Sequence, residues 1–155
     1  MYEEKFMLRA IKVSIKNLEK GGGPFGAVIV KDGKVVAIGM NRVTCNNDPT
    51  AHAEVMVIRK AAKKLKTFNL SGCEIYTSCE PCPMCLGAIY WARIDRIYDG
   101  HTKDDVAKIG FDDSFIYQEL ELDKGKRKVQ MLQFLPEQAK ETFVRWVEKE
   151  DKVEY

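Results

Sequence analysis

The sequence predicts an α/β protein, a three-layer α/β/α sandwich with a central mixed sheet, and three observations carry that reading. An amphipathic helical stretch opens the chain, two β-rich runs meet across an Asp-Gly turn, and a strand, helix, strand series follows. The hairpin demands antiparallel neighbours and the later series a parallel pair, so the sheet must be mixed.

The elements are justified in order. From Glu3 to Lys20, Met7, Ala10, Ile11, Ile15 and Leu18 recur at helical spacing, and Gly21-Gly22-Gly23-Pro24 ends the segment. Phe25 to Val30 and Val35 to Met40 are β-rich and joined through Lys31-Asp32-Gly33-Lys34, where Asp-Gly supplies the positive φ angles of a tight turn. Asp48-Pro49-Thr50 reads as the opening of a helix from Ala51 to Leu65, which puts His52 and Glu54 near its start. Glu74 to Ser78 reads as a strand, Pro81 as the start of a helix to about Trp91, and Arg93 to Tyr98 as the next strand. Beyond His101 the expectations are a helix from Lys103 to Ile109, loop and helix from Phe111 to Leu120, and a last strand from Val129 to Phe134. A final helix from Glu137 to Lys149 carries the stripe Ala139, Phe143, Trp146 and Val147.

A length of 155 residues suits one domain spanning 1–155 with a core of its own. No apolar run approaches the ~20 residues that cross a bilayer, which speaks for a soluble protein with no membrane partner. The opening Met1-Tyr2-Glu3-Glu4-Lys5 is acidic where a secretory signal would be basic, so the expected location is cytoplasmic. A net charge of +2 is too small for the concentrated basic face of a polyanion binder, so no nucleic-acid partner is expected. Five cysteines are an odd number, and Cys79, Cys82 and Cys85 crowd together, a pattern of reduced metal ligands rather than of bridges.

His52-Ala53-Glu54 followed by Pro81-Cys82-Pro83-Met84-Cys85 has the histidine, glutamate and paired-cysteine pattern of zinc deaminases. Cys82 and Cys85, three apart at a helix start, project from one face, so both thiolates can meet one ion while the helix start lowers their pKa. His52 supplies a third ligand and leaves the fourth tetrahedral corner to solvent, as a catalytic zinc requires. Glu54, two residues from a ligand yet not one itself, can take a proton from the attacking water and return it to the substrate nitrogen.

Plainer readings exist for each piece. A lone C-x-x-C is often a structural zinc or redox pair, but a structural site wants a fourth protein ligand, and only His101 and the remaining cysteines are available. The run C-x-x-C-x-x-C superficially suggests an iron–sulfur cluster, but the next cysteine and proline of that pattern are absent. Cys79 reads as a strand-end residue near the site, Cys45 and Cys73 as packing residues, and His101 as an exposed loop residue. Basic Lys124 to Lys128 reads as a solvated turn.

Pro49-Thr50-Ala51-His52-Ala53-Glu54 and Thr77-Ser78-Cys79-Glu80-Pro81-Cys82-Pro83-Met84-Cys85 resemble the cytidine deaminase-like superfamily. The continuations Leu86 to Arg93 and Gly110-Phe111-Asp112-Asp113-Ser114-Phe115-Ile116-Tyr117 are more similar to its bacterial guanine deaminases than to cytosine or tRNA-adenosine deaminases. The resemblance runs to Glu154-Tyr155 and implies hydrolysis of guanine to xanthine and ammonia. It implies Phe25 against the purine, Asn41 hydrogen-bonded to it, Ala53 among the substrate contacts, and Asp113 on its amino-bearing edge, assisting proton transfer. It also implies a homodimer in which a C-terminal segment, about 120–155, is swapped so that Tyr155 of one copy lies beside the other's substrate. Independently, an ionised Asp113 only accepts hydrogen bonds, which suits the donors on guanine's amidine edge and repels the acceptor adenine places there. Asp99, after Ile97-Tyr98, stands where a small or apolar residue is expected, and its charge would bear on the pocket floor.

Other functions are consistent with the zinc motif, one being deamination of another nucleobase, nucleoside or aminated heterocycle, such as cytosine or guanosine. A tRNA-editing adenosine deaminase would need a basic face, whereas the last helix mixes Glu141, Glu148 and Glu150 with Lys140, Arg145 and Lys149. A catalytically silent zinc module would have no use for an intact Glu54.

Overall fold

Asp32 and Gly33 turn the chain with φ of 49° and 67°, the positive angles that a two-residue hairpin loop requires. The computed structural model, which describes residues 2–155, builds on either side of this turn β1 (Gly26–Lys31) and β2 (Lys34–Met40). Before them runs α1 (Glu4–Leu18); after them come a single turn α2 (Val43–Asn46), α3 (Ala53–Leu65), β3 (Cys73–Cys79), α4 (Pro83–Trp91) and β4 (Arg96–His101). The chain ends through α5 (Lys103–Ala107), α6 (Ser114–Glu121) and α7 (Pro136–Glu148).

The strands lie in the order β2-β1-β3-β4, with β1 antiparallel to β2 and β3, and β3 parallel to β4. Side chains on a strand alternate between faces, and here the alternation sorts two cores. Val28, Val30 and Tyr76 pack with Phe6 and Ala10 of α1. Ala27, Ile29, Cys73 and Ile75 pack with Ala53, Val57 and Ala61 of α3 and Ile89 of α4. Three layers result, as the sequence predicts, and every second residue of β3 after Ile75 belongs to the face covered by α3 and α4.

α3 lies very close to β2. A Cβ on Gly39 would stand 2.3 Å from the Ala53 carbonyl oxygen and 2.7 Å from the Val57 backbone nitrogen, contacts that no side chain can relieve. Gly39→Ala should push α3 off the sheet, costing about 1–3 kcal/mol by overpacking and lowering Tm by on the order of 5 °C. Because α3 carries His52 and Glu54, a zinc titration should also show weaker binding. An unchanged melting curve contradicts the close packing.

By contact density the chain divides into two compact units, one ending at Asp113 and the other Ser114–Tyr155. In the second, the Arg127 guanidinium donates to the Leu120 and Leu122 carbonyls, the Lys128 N–H donates to Glu119, and Arg145 pairs with Glu141. None of its described residues is buried.

Several expected boundaries move. Asp48-Pro49-Thr50 does not open α3: Asp48 Oδ1 accepts from the Thr50 N–H and hydroxyl and closes a separate turn, and the helix begins at Ala53. Pro81 does not open α4; Pro83 does, with Cys82 as N-cap. The strand expected over Arg93 to Tyr98 starts at Arg96, because Arg93 takes φ 57° at the end of α4's turn. His101 is therefore the exposed last residue of β4 rather than a loop residue. Val129 to Phe134 forms no strand, since no neighbouring strand pairs with it among the described residues. Cys45 is not a packing residue but exposed, its Sγ against the Lys20 and Gly21 carbonyls, whereas Cys73 is buried as expected.

Candidate active site

Two helices start side by side. His52 is the N-cap of α3 and Cys82 the N-cap of α4, and neither side chain makes a capping hydrogen bond. Their donor atoms are thus not spent on the backbone, and they converge with Cys85, in the first turn of α4. His52 Nδ1 lies 3.6 Å from Cys82 Sγ and 3.5 Å from Cys85 Sγ. A zinc ion bonded tetrahedrally to sulfur at about 2.3 Å and nitrogen at about 2.0 Å sets those atoms about 3.5 Å apart. The three ligand atoms all lie within 4.8 Å of one another, so the cluster could hold a single metal ion.

The electrostatics suit a cation. Cys82 is drawn down to about 4, first by its hydrogen bond with Cys85 and then, against burial, by His52. Cys85 is held well above the ordinary thiol range by that same hydrogen bond and by burial, while the bond to Cys82 raises His52. One proton leaves the sulfur pair readily, and the second is of the kind that a metal displaces on binding. Both helix starts add positive potential at the same point. Cys79, which a wider cluster would need, is pushed up to about 12 by burial and stands apart at the end of β3. His101 does not join the group among the described residues.

Glu54, in the first turn of α3, is 5% exposed. Burial raises its pKa, opposed by the hydrogen bond it accepts from the Thr77 hydroxyl. Its Oε1 takes that bond at 2.5 Å, and its Oε2 lies 3.4 Å from Cys85 Sγ, so the carboxylate borders the ligand cluster.

The remaining residues singled out in the sequence fall as follows. Phe25 sits half-buried ahead of β1, its ring centroid 5.0 Å from that of Phe111 and nearly perpendicular to it. This aromatic pair ties the segment leading to Asp113 to the start of the hairpin. The Asp113 carboxylate is partly buried, is raised by that burial and by the charge of Cys82, and acts electrostatically on His52 and Cys79. Asn41 is buried at the end of β2, and its Oδ1 accepts from the Val43 N–H, which leaves Nδ2 as the group that donates. Ala53 is completely enclosed, its methyl in the core. Asp99 is exposed on the edge strand, where its charge contributes to raising Cys79. Tyr155 lies in the second unit and is exposed.

Sequence reasoning missed Asn17. Its Nδ2 donates to the Gly23 carbonyl at 2.8 Å and the Asn41 carbonyl at 2.7 Å, lashing together the segments that carry Phe25 and Asn41. The signal was present: Asn17 shares the inward face of α1 with Ala10 and Ser14, and a polar residue there must find partners.

Residues 1–100 match the family pattern described as the cytidine and deoxycytidylate deaminase zinc-binding region. The chain belongs to that deaminase family. Zinc is the ion such a region binds, and the His52, Cys82 and Cys85 cluster is where this deaminase could hold it. The deaminase is 49% identical over 156 residues to the guanine deaminase of Bacillus subtilis, with all of both chains covered. The crystal structure of that enzyme superposes with a TM-score of 0.96 over 100% of this chain and 99% of the other. A guanine deaminase from Nitrosomonas europaea is 35% identical, with a TM-score of 0.70 over 72% of this chain and 65% of its own. The tRNA-specific adenosine deaminase of Aquifex aeolicus is 41% identical, but over 63% of this chain and 64% of its own. No described helix is long and apolar enough to cross a membrane.

Proposed function

We propose that this deaminase hydrolyses guanine to xanthine and ammonia, with His52, Cys82 and Cys85 holding zinc and Glu54 moving protons. The observation that carries the reading is the extent of the likeness to the Bacillus subtilis guanine deaminase, 49% identity over the whole chain to its C-terminal end, whereas the likeness to tRNA deaminases covers 63% of the chain at 41% identity or 80% at 35%. When bound, zinc supplies a Lewis acid that brings the ionisation of water near neutrality.

The protein's own residues do the rest. Glu54, beside the ligand cluster, takes one proton from the attacking water and gives it to the ring nitrogen as the C–O bond forms, then takes the second from the added hydroxyl and gives it to the amine, which leaves as ammonia as the C–N bond breaks. Phe25, braced edge-on by Phe111, offers a flat apolar wall to the purine. Asn41 donates from Nδ2 to an acceptor on the base. Asp113 accepts from the amino-bearing edge and assists proton transfer. Ala53, being enclosed, bears on the substrate only through the backbone at the start of α3.

The same reading makes the chain one deaminase domain over 1–155, acting in the cytoplasm on a free purine, as a homodimer with the segment of about 120–155 swapped between copies. Tyr155 then closes the partner's pocket. The surface of the second unit supports this, because Leu132 at 84% and Phe134 at 83% exposure are apolar groups that call for a cover.

Incubation of the zinc-loaded protein with single bases tests the substrate. Guanine should yield equal amounts of ammonia and xanthine, and adenine, which places a ring acceptor where guanine offers Asp113 a ring N–H, should react slower by on the order of 10⁴. Rapid turnover of cytosine, adenine or guanosine with none of guanine contradicts the assignment.

A further inference from the structure

We infer that Thr77 is a positioning residue for the proton shuttle, an inference that rests on the reading of Glu54 given above. Thr77 lies on β3 between β1 and β4, opposite Ala27 and Asp99 in register, and is 0% exposed. The pleat turns it, like Ile75 two residues earlier, toward the face that α3 covers. Its hydroxyl meets no solvent, and it donates to Glu54 Oε1 at 2.5 Å.

The two partners differ in stiffness. A threonine on a strand held from both sides has one side-chain torsion, restricted by β-branching, so its hydroxyl is fixed by the sheet. A glutamate reaches its carboxylate through three torsions and would otherwise wander. The hydrogen bond fixes one oxygen of Glu54 and leaves Oε2 turned toward Cys85 Sγ, 3.4 Å away, on the side where the reacting atoms must sit. One oxygen anchors and the other works. A buried hydroxyl with a purely structural duty needs only some acceptor; this one takes as its acceptor the carboxylate that borders the ligand cluster.

The test compares Thr77→Val, which keeps shape and removes the donor, with Thr77→Ser, which keeps the donor. For guanine, the valine variant should lose about 10- to 100-fold in kcat, as expected when a reacting group is misplaced by a fraction of an ångström. KM should stay within about twofold, since ground-state binding is untouched. Zinc content should match the parent, and a crystal structure of the variant should show the Glu54 carboxylate rotated or spread over several positions. Thr77→Ser should restore most of kcat. An unaltered kcat in Thr77→Val, a loss of kcat that follows loss of zinc, or no recovery in Thr77→Ser overturns the inference. Glu54→Ala measured alongside separates the two layers: if it is inactive while Thr77→Val is fully active, the positioning role alone falls, and if it keeps full activity, the shuttle and the positioning role fall together.

Discussion

With Glu54 replaced by alanine, the protein is expected to bind zinc as the parent does, to unfold at a similar temperature, and to release ammonia from guanine about 10² to 10⁴ times more slowly. Each part has its own cause. Zinc is retained because Glu54 is not among the three residues whose donor atoms converge. The fold is retained because a carboxylate that is 5% exposed costs solvation energy, so removing it offsets part of the lost Thr77 hydrogen bond. Turnover is lost because Glu54 is the carboxylate that accepts from the ligand residue Cys85, whereas Asp113 acts on His52 electrostatically. Steady-state ammonia release together with elemental analysis reads all three. Full activity in this variant refutes the shuttle outright.

Removing the metal should have the larger effect on stability. In Cys85→Ala, or in the parent after exhaustive chelation, activity should fall to background and Tm by about 10 °C. That figure follows from linkage: an ion present at about a thousand times its Kd stabilises by about 4 kcal/mol, and a chain of this size shifts by about 2–4 °C per kcal/mol. The protein should nonetheless stay folded, unlike a zinc finger, because apolar side chains on both faces of the sheet pack without help from an ion. Cys45→Ala, at an exposed thiol, is the control and should change nothing. A chelated protein with unchanged melting and turnover contradicts the metal assignment.

What could be read from the sequence follows from which signals are local. The Asp32-Gly33 turn is unambiguous because only a few residues accept two consecutive positive φ angles. The paired cysteines and the His52-Ala53-Glu54 block are equally plain, since a three-residue spacing on a helix start dictates a shared face. Both helices start two residues later than the sequence predicts, at Ala53 and Pro83. Capping rules favour Asp48 and Pro81, but the caps are His52 and Cys82, whose side chains make no capping hydrogen bond and meet each other instead. Val129 to Phe134 has strand composition and no strand, because pairing is supplied by a neighbour and not by propensity. Asn17 and Thr77 carry a weaker local signal, a polar residue on a buried face. Their partners, Gly23, Asn41 and Glu54, are brought near only by the fold.

Zinc K-edge X-ray absorption of the loaded protein in solution probes the whole arrangement at once. Two sulfur scatterers at about 2.3 Å, one imidazole nitrogen and one further light atom at about 2.0 Å are the expected shell, with the light atom exchanged when a base analogue or a small anion is added. A shell of four protein ligands, or one with fewer than two sulfurs, would contradict a three-residue site with a corner open to solvent.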